Sequence, residues 1–148
     1  MNIYLEDNGL DIQDYINAVG AVLGLHQYEG DIDIEILNKC DSDAGGYCYG
    51  EADDVRIEIA THVMGEALDM DVIKKNIAHE MVHAEQLATG RLLDHGLQVH
   101  NECLVKVSEW DGEIFTNTAY DDQPWEIDAY AREENVKIQA EEMLAQWN

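Results

Sequence analysis

Between Asp71 and Thr89 the apolar residues Ile73, Ile77, Met81, Ala84 and Ala88 recur at the spacing of one helical face. Such a stripe has to be buried against something, so any fold this chain adopts is built around a central amphipathic helix. Asp71 is a candidate N-cap, and Gly90 stands where a helix-ending glycine belongs. The spacing predicts a helix over 71–89.

The flanking segments extend the pattern. Asp11 to Leu23 reads as a helix, with Asp11 placed to cap it, Ile12, Ile16, Val19 and Leu23 on one side and Gly24 as a stop. Asp31 to Leu37 alternates strictly between acidic and apolar residues, and Val55 to Ala60 alternates again, the period of half-buried strands. Tyr47 to Tyr49, between glycines, predicts a short strand. Leu104 to Trp110 and Glu113 to Thr116 flank Asp111-Gly112, a pair suited to a type I′ hairpin turn. Pro124 opens a last helix to about Trp147, with Trp125, Ala129, Val136, Ala140, Met143 and Trp147 on its apolar face. Helix, sheet, helix, hairpin, helix is an α+β order, and a length of 148 residues suits a single domain over 1–148.

Charge narrows the function. Thirty-two Asp and Glu against 8 Lys and Arg give a net charge of −24. Such a surface repels phosphate backbones and anionic lipids, which argues against nucleic acid or a membrane as partner; it keeps a protein soluble and suits a basic protein partner. No apolar run approaches the roughly 20 residues of a membrane span, and Met1 to Asp11 has neither the positive charge nor the apolar core of a secretory signal, so the cytoplasm is the expected compartment. The 3 cysteines, Cys40, Cys48 and Cys103, have no metal-site spacing and are expected as buried free thiols. His26 and His62 stand alone and read as structural.

Chemistry concentrates in the central helix. His79-Glu80-Met81-Val82-His83 places two imidazoles at i and i+4, one turn apart on the same face, where both can reach one metal ion. Glu80 projects beside that ion and is positioned to take a proton from water that the metal activates. A catalytic zinc needs a third protein ligand, and the candidates are Asp94, His95, His100, Glu126 and Asp128. Position 89 is Thr89, so a third histidine six residues after His83 is absent. Glu126 is preferred, because the first turn of a helix presents a carboxylate rigidly and favourably.

His79-Glu80-x-x-His83 followed by Glu126 on a downstream helix resembles the gluzincin layout of zincin metallopeptidases. More narrowly, His79, Glu80, His83 and Gln86, then Pro124-Trp125-Glu126-Ile127-Asp128-Ala129-Tyr130, resemble small zincin-like proteins of phages and bacteria. The resemblance covers about Asp71 to Glu133. It implies a zincin-like fold, with a small twisted sheet packed on the active-site helix between N- and C-terminal helices. It implies Zn2+ held by His79, His83 and Glu126, Glu80 as general base, and a peptide or protein substrate, in the host cytoplasm if the chain is viral.

Larger gluzincins place an acid a few residues after the glutamate ligand to orient a histidine. Here the same-face position holds Tyr130, and Asp128 or a backbone carbonyl is left for that role. Tyr130, one turn beyond Glu126, can donate to a developing oxyanion or pack between helices; Gln86 lies along the metal face, and Val55 to Ala60 or the hairpin can line the cleft. Two further readings compete with a zinc peptidase. One is a non-catalytic acidic interaction module with a structural zinc. The other is iron or manganese in the same site, which histidine and carboxylate ligands also accept.

Overall fold

The computed structural model describes residues 1–7 and 9–147. Strand β1 (Asn2–Glu6) leads to helix α1 (Gln13–Val22), then to strands β2 (Asp31–Leu37), β3 (Gly46–Glu51) and β4 (Asp54–Ala60). A two-residue ladder, β5 (His62–Val63) with β6 (Glu66–Ala67), precedes helix α2 (Met70–Ala88). Strands β7 (Leu92–His100), β8 (Cys103–Trp110) and β9 (Glu113–Thr116) follow, then helix α3 (Pro124–Trp147). The class is α+β, as expected.

The four-stranded sheet has the order β1-β2-β4-β3, with the first three strands parallel and β3 antiparallel at the edge. Alternation sorts its faces. Ile32, Ile34 and Ile36 of β2 and Val55, Ile57 and Ile59 of β4 are buried, in one core with Ile16 and Val19 of α1, Ile77, Met81 and Val82 of α2, and Ala129 and Val136 of α3. The opposite face carries Asp31, Asp33 and Glu35, with Asp54, Arg56 and Glu58 beside them, and no element covers it among the described residues. β7, β8 and β9 form a separate antiparallel sheet.

Several boundaries differ from the sequence reading. Asp11 caps nothing: α1 starts at Gln13 with Ile12 at its N-cap. α2 starts at Met70 with Asp69 at its N-cap, and Asp71 falls inside the first turn, where its charge still meets the positive end of the helix. Neither N-cap residue makes a side-chain capping bond. β1 was unforeseen although Ile3 and Leu5 alternate with polar neighbours; it pairs with β2 from Asn2↔Asp31 to Glu6↔Glu35. β7 was also unforeseen, being exposed from Leu93 to His100 apart from half-buried Gly96, so burial imposes no alternation on it. The hairpin at Asp111-Gly112 is present, with φ of 50° and 85° at the two turn residues. Trp147, expected on the buried face of α3, is 57% exposed. Of the cysteines only Cys40 is buried; Cys48 is half-buried and Cys103 is exposed beside the β7–β8 turn, where neither face is covered.

Candidate metal centre

The buried stripe of α3 runs through Glu126, Ala129, Glu133, Val136 and Ala140, so two glutamates sit among its packing residues. α2 packs along this stripe with His79, Glu80 and His83 buried in its middle. Pro124 starts α3 and Phe115 of β9 meets Trp125 edge to face at 5.9 Å, which holds the helix start in place. One ligand atom from each of His79, His83 and Glu126 lies within 4.8 Å of the other two. His83 Nε2 is 2.6 Å from Glu126 Oε1, and His79 Nε2 is 3.4 Å from Glu126 Oε2. This buried group could hold a metal ion.

The surrounding hydrogen bonds decide how the imidazoles present themselves. His79 Nδ1 is 2.8 Å from Glu133 Oε2, a carboxylate that only accepts, so Nδ1 carries the proton. His83 Nδ1 is 2.8 Å from Gln86 Oε1. The Gln86 amide nitrogen donates to the Trp125 carbonyl at 3.0 Å and to Asp128 Oδ2 at 2.9 Å. Turning that amide over would set its oxygen against two acceptors, so Oε1 faces His83, whose Nδ1 is therefore the donor. Both Nε2 lone pairs then point at the Glu126 carboxylate. Three acceptors facing one another in a buried space require either protons or a cation, which is the donor set and geometry of a metal site.

With protons in that role, both Nε2 atoms donate to Glu126. Burial alone would raise the Glu126 carboxyl, but hydrogen bonds and charge from His79 and His83 outweigh it and hold it at about 2. Burial lowers the two histidines, and Glu126, with Glu80 beside it, raises both above their ordinary value. Glu80 is lifted to about 7, mainly by burial, with the histidines pulling the other way. Its carboxylate makes no hydrogen bond among the described residues.

Glu80, His83 and Glu126 open on a cleft of about 380 Å³. Gly46, Cys48 and Gly50 of β3 form one side, and Leu92 and Asp94 of β7 with Lys106 and Ser108 of β8 form another. The strand beside Glu80 is thus β3. Val55 to Ala60 is an interior strand paired on both edges and cannot line a cleft with its main chain.

Of the expected candidates, Glu126 joins the two histidines and the others do not. His95 lies against Glu109 and His100 against Gln98, both on the exposed β7 strand. Asp94 Oδ1 accepts from the Gly96 amide, and Asp128 braces Gln86 and takes a hydrogen bond from Arg132 at 3.1 Å. The partner of His79 is Glu133, which the sequence reading missed although it is seven residues beyond Glu126 and so on the same helical face. Lys75 stands 3.7 Å from its other oxygen. The Tyr130 ring lies tilted at 4.5 Å from His79; Tyr130 and Tyr120 are 54% and 52% exposed, and their hydroxyls lie 2.9 Å apart. Tyr120, not Tyr130, lines the cleft; burial first, then its bond to Tyr130 and the nearby Glu126 charge, raise its hydroxyl pKa. Nothing in the sequence marked Tyr120, which opens a one-turn 3-10 helix, Tyr120–Asp122, before Pro124. His62 bonds Thr61 at 2.7 Å, away from the centre.

Compared with models of known families, with curated proteins and with solved structures, the chain finds no match.

Proposed function

We propose that this chain is a zinc-dependent metallopeptidase of gluzincin type, with His79, His83 and Glu126 as metal ligands and Glu80 as general base. The observation that carries the reading is the pair of Nε2 atoms turned to one buried carboxylate, with an unbonded glutamate beside them at the floor of a cleft. Two imidazoles and one carboxylate are the ligand set of catalytic zinc in this class of site. The ion, when bound, acidifies water and polarises a carbonyl. Glu80, buried beside both histidines and free of hydrogen bonds among the described residues, is placed to take a proton and return it to a leaving amine. β3 stands at the end of the strand order, so its outer edge can pair with an extended peptide, a supply of main-chain hydrogen bonds that does not depend on substrate sequence. Tyr120 is the hydroxyl best placed to donate to an oxyanion, with Tyr130 positioning it.

A second reading, an acidic interaction module with a structural zinc, draws on the uncovered sheet face, where Glu6, Glu35 and Glu58 are cross-strand neighbours. One experiment separates the two. Elemental analysis of purified protein should find one zinc per chain, lost in Glu126→Ala. Glu80→Gln should keep the zinc and lose peptide turnover by at least about 100-fold. Full turnover in Glu80→Gln would sink the catalytic assignment, and a wild-type chain without metal would sink both readings of the site.

A further inference from the structure

The cleft wall formed by β7 and β8 continues well past the metal centre. Cross-strand partners share a face, so the pairs Asp94↔Ser108, Leu97↔Lys106 and Val99↔Leu104 lie along one surface of this hairpin. The first pair and Lys106 line the cleft. Further out, Leu97, Val99 and Leu104 are 68%, 69% and 67% exposed, an apolar strip that no part of the described chain covers.

Lys106 is singular in its electrostatics. The chain has 8 Lys and Arg among 32 Asp and Glu, so a cation seldom lacks a carboxylate nearby. Every other lysine and arginine lies within 4.0 Å of one. Among the described residues, Lys106 alone makes no ion pair, and it stands in the cleft. In so negative a molecule, it is the position where an anionic side chain of an incoming ligand would be held instead of repelled.

We propose that the β7–β8 hairpin reads the substrate, and that the stretch it selects is an extended apolar protein segment carrying a carboxylate side chain. Lys106 takes the carboxylate, and Leu97, Val99 and Leu104 take the neighbouring apolar side chains. The inference rests on the peptidase reading for the purpose of the cleft, but none of its residues belongs to the metal centre or to the proton-transfer machinery. The continuity of the strip with the cleft wall argues for a ligand that also enters the cleft. The lone cation sets that ligand's charge.

The test measures binding apart from cleavage. Fluorescein-labelled, valine- and leucine-rich peptides with a central Glu, Gln or Lys are titrated by fluorescence anisotropy into Glu80→Gln protein at low salt. The Glu peptide should bind about fivefold more tightly than the Gln peptide, and the Lys peptide most weakly. Lys106→Gln should erase the preference for Glu. Leu97→Asn with Val99→Asn should weaken all three peptides about tenfold. These side chains are exposed, so the variants should keep the wild-type circular dichroism spectrum. Equal binding of the three peptides, or a Glu preference that survives Lys106→Gln, overturns the inference. So does a Leu97→Asn/Val99→Asn variant that changes the oligomeric state and leaves peptide affinity intact, since the strip would then be a contact between copies of the chain. Cleavage of all three peptides at one rate by wild-type protein would leave the peptidase reading standing and remove this one. Selective binding without cleavage would do the reverse.

Discussion

At the scale of single residues, what the cluster of His79, His83 and Glu126 can hold depends on which ring nitrogen carries the proton, and that is set by groups outside the cluster. Glu133 accepts from His79 Nδ1, and Gln86, itself held by Asp128 and the Trp125 carbonyl, accepts from His83 Nδ1. Arg132 extends the second chain, bonding both Asp128 and Glu85. On the proposed zinc site, Glu133→Gln should therefore lower metal affinity by about 10- to 100-fold, measured by competition with a chelator, with the helix content unchanged. Asp128→Asn should cost less, because it acts one bond further away and the Trp125 carbonyl still orients Gln86. Equal losses in the two variants would mean that Glu133 acts through general charge and not through its bond to His79. The clustering of the two histidines was legible in the sequence, because i, i+4 spacing on an amphipathic helix leaves them little choice of direction. Glu133 was legible in principle from its distance to Glu126. Residue type does not separate it from the solvated acids of α3, such as Glu134 and Glu142, which surround the same apolar stripe. Tyr120 had no periodic pattern to betray it.

Between elements, the close approach of β3 to α2 shapes the cleft floor. A Cβ on Gly46 would lie 2.8 Å from Glu80 Cγ, nearer than packed carbons come, and a tight 3.1 Å from its Oε1. Gly46→Ala should displace the Glu80 carboxylate. On the proposed peptidase reading, the expected result is a fall in kcat of tenfold or more with zinc content unchanged, since the atoms nearest that Cβ belong to Glu80 and Ile59 and not to His79, His83 or Glu126. A variant with wild-type kcat would show that Glu80 has room to relax, and that its present position is not the working one. The elements themselves were readable where burial is one-sided. β2, β4 and α2 each present one apolar face to the core, so their period survives in the sequence. β7 has no buried face beyond Leu92 and left no period to read, and β1 is held by pairing to β2 more than by burial of its own side chains. Helix starts were misplaced by one or two residues because Asp11 and Asp71, good capping residues by type, make no capping bonds here.

For the molecule as a whole, two electrostatic limits on stability follow from the same charge balance. The open sheet face sets Glu6, Glu35 and Glu58 in one cross-strand row, and like charges directly opposite one another destabilise a sheet. With a net charge of −24, raising the salt concentration from about 10 mM to about 150 mM shortens the screening length from roughly 30 Å to roughly 8 Å and should raise the melting temperature. An unchanged or lower value would mean that the ion pairs screened at the same time, such as Lys75 with Glu133, matter more than the repulsion. The alkaline limit has a different origin. Burial, reinforced by Glu58 and Glu80, pushes the Cys40 thiol up to about 11. Burial also raises the Tyr15 hydroxyl, which donates to the Lys74 carbonyl at 2.7 Å and so ties α1 to α2. Both groups hold their protons more tightly folded than unfolded. Their contribution is present in full below the unfolded value, near 9 for a thiol, and is lost as pH rises through the folded value. Denaturant midpoints should therefore fall between about pH 9 and pH 11, and Cys40→Ala should flatten that fall while lowering stability at neutral pH through the lost packing. A Cys40→Ala profile as steep as that of the wild type would assign the alkaline limit to Tyr15 and to the growing negative charge of the whole chain.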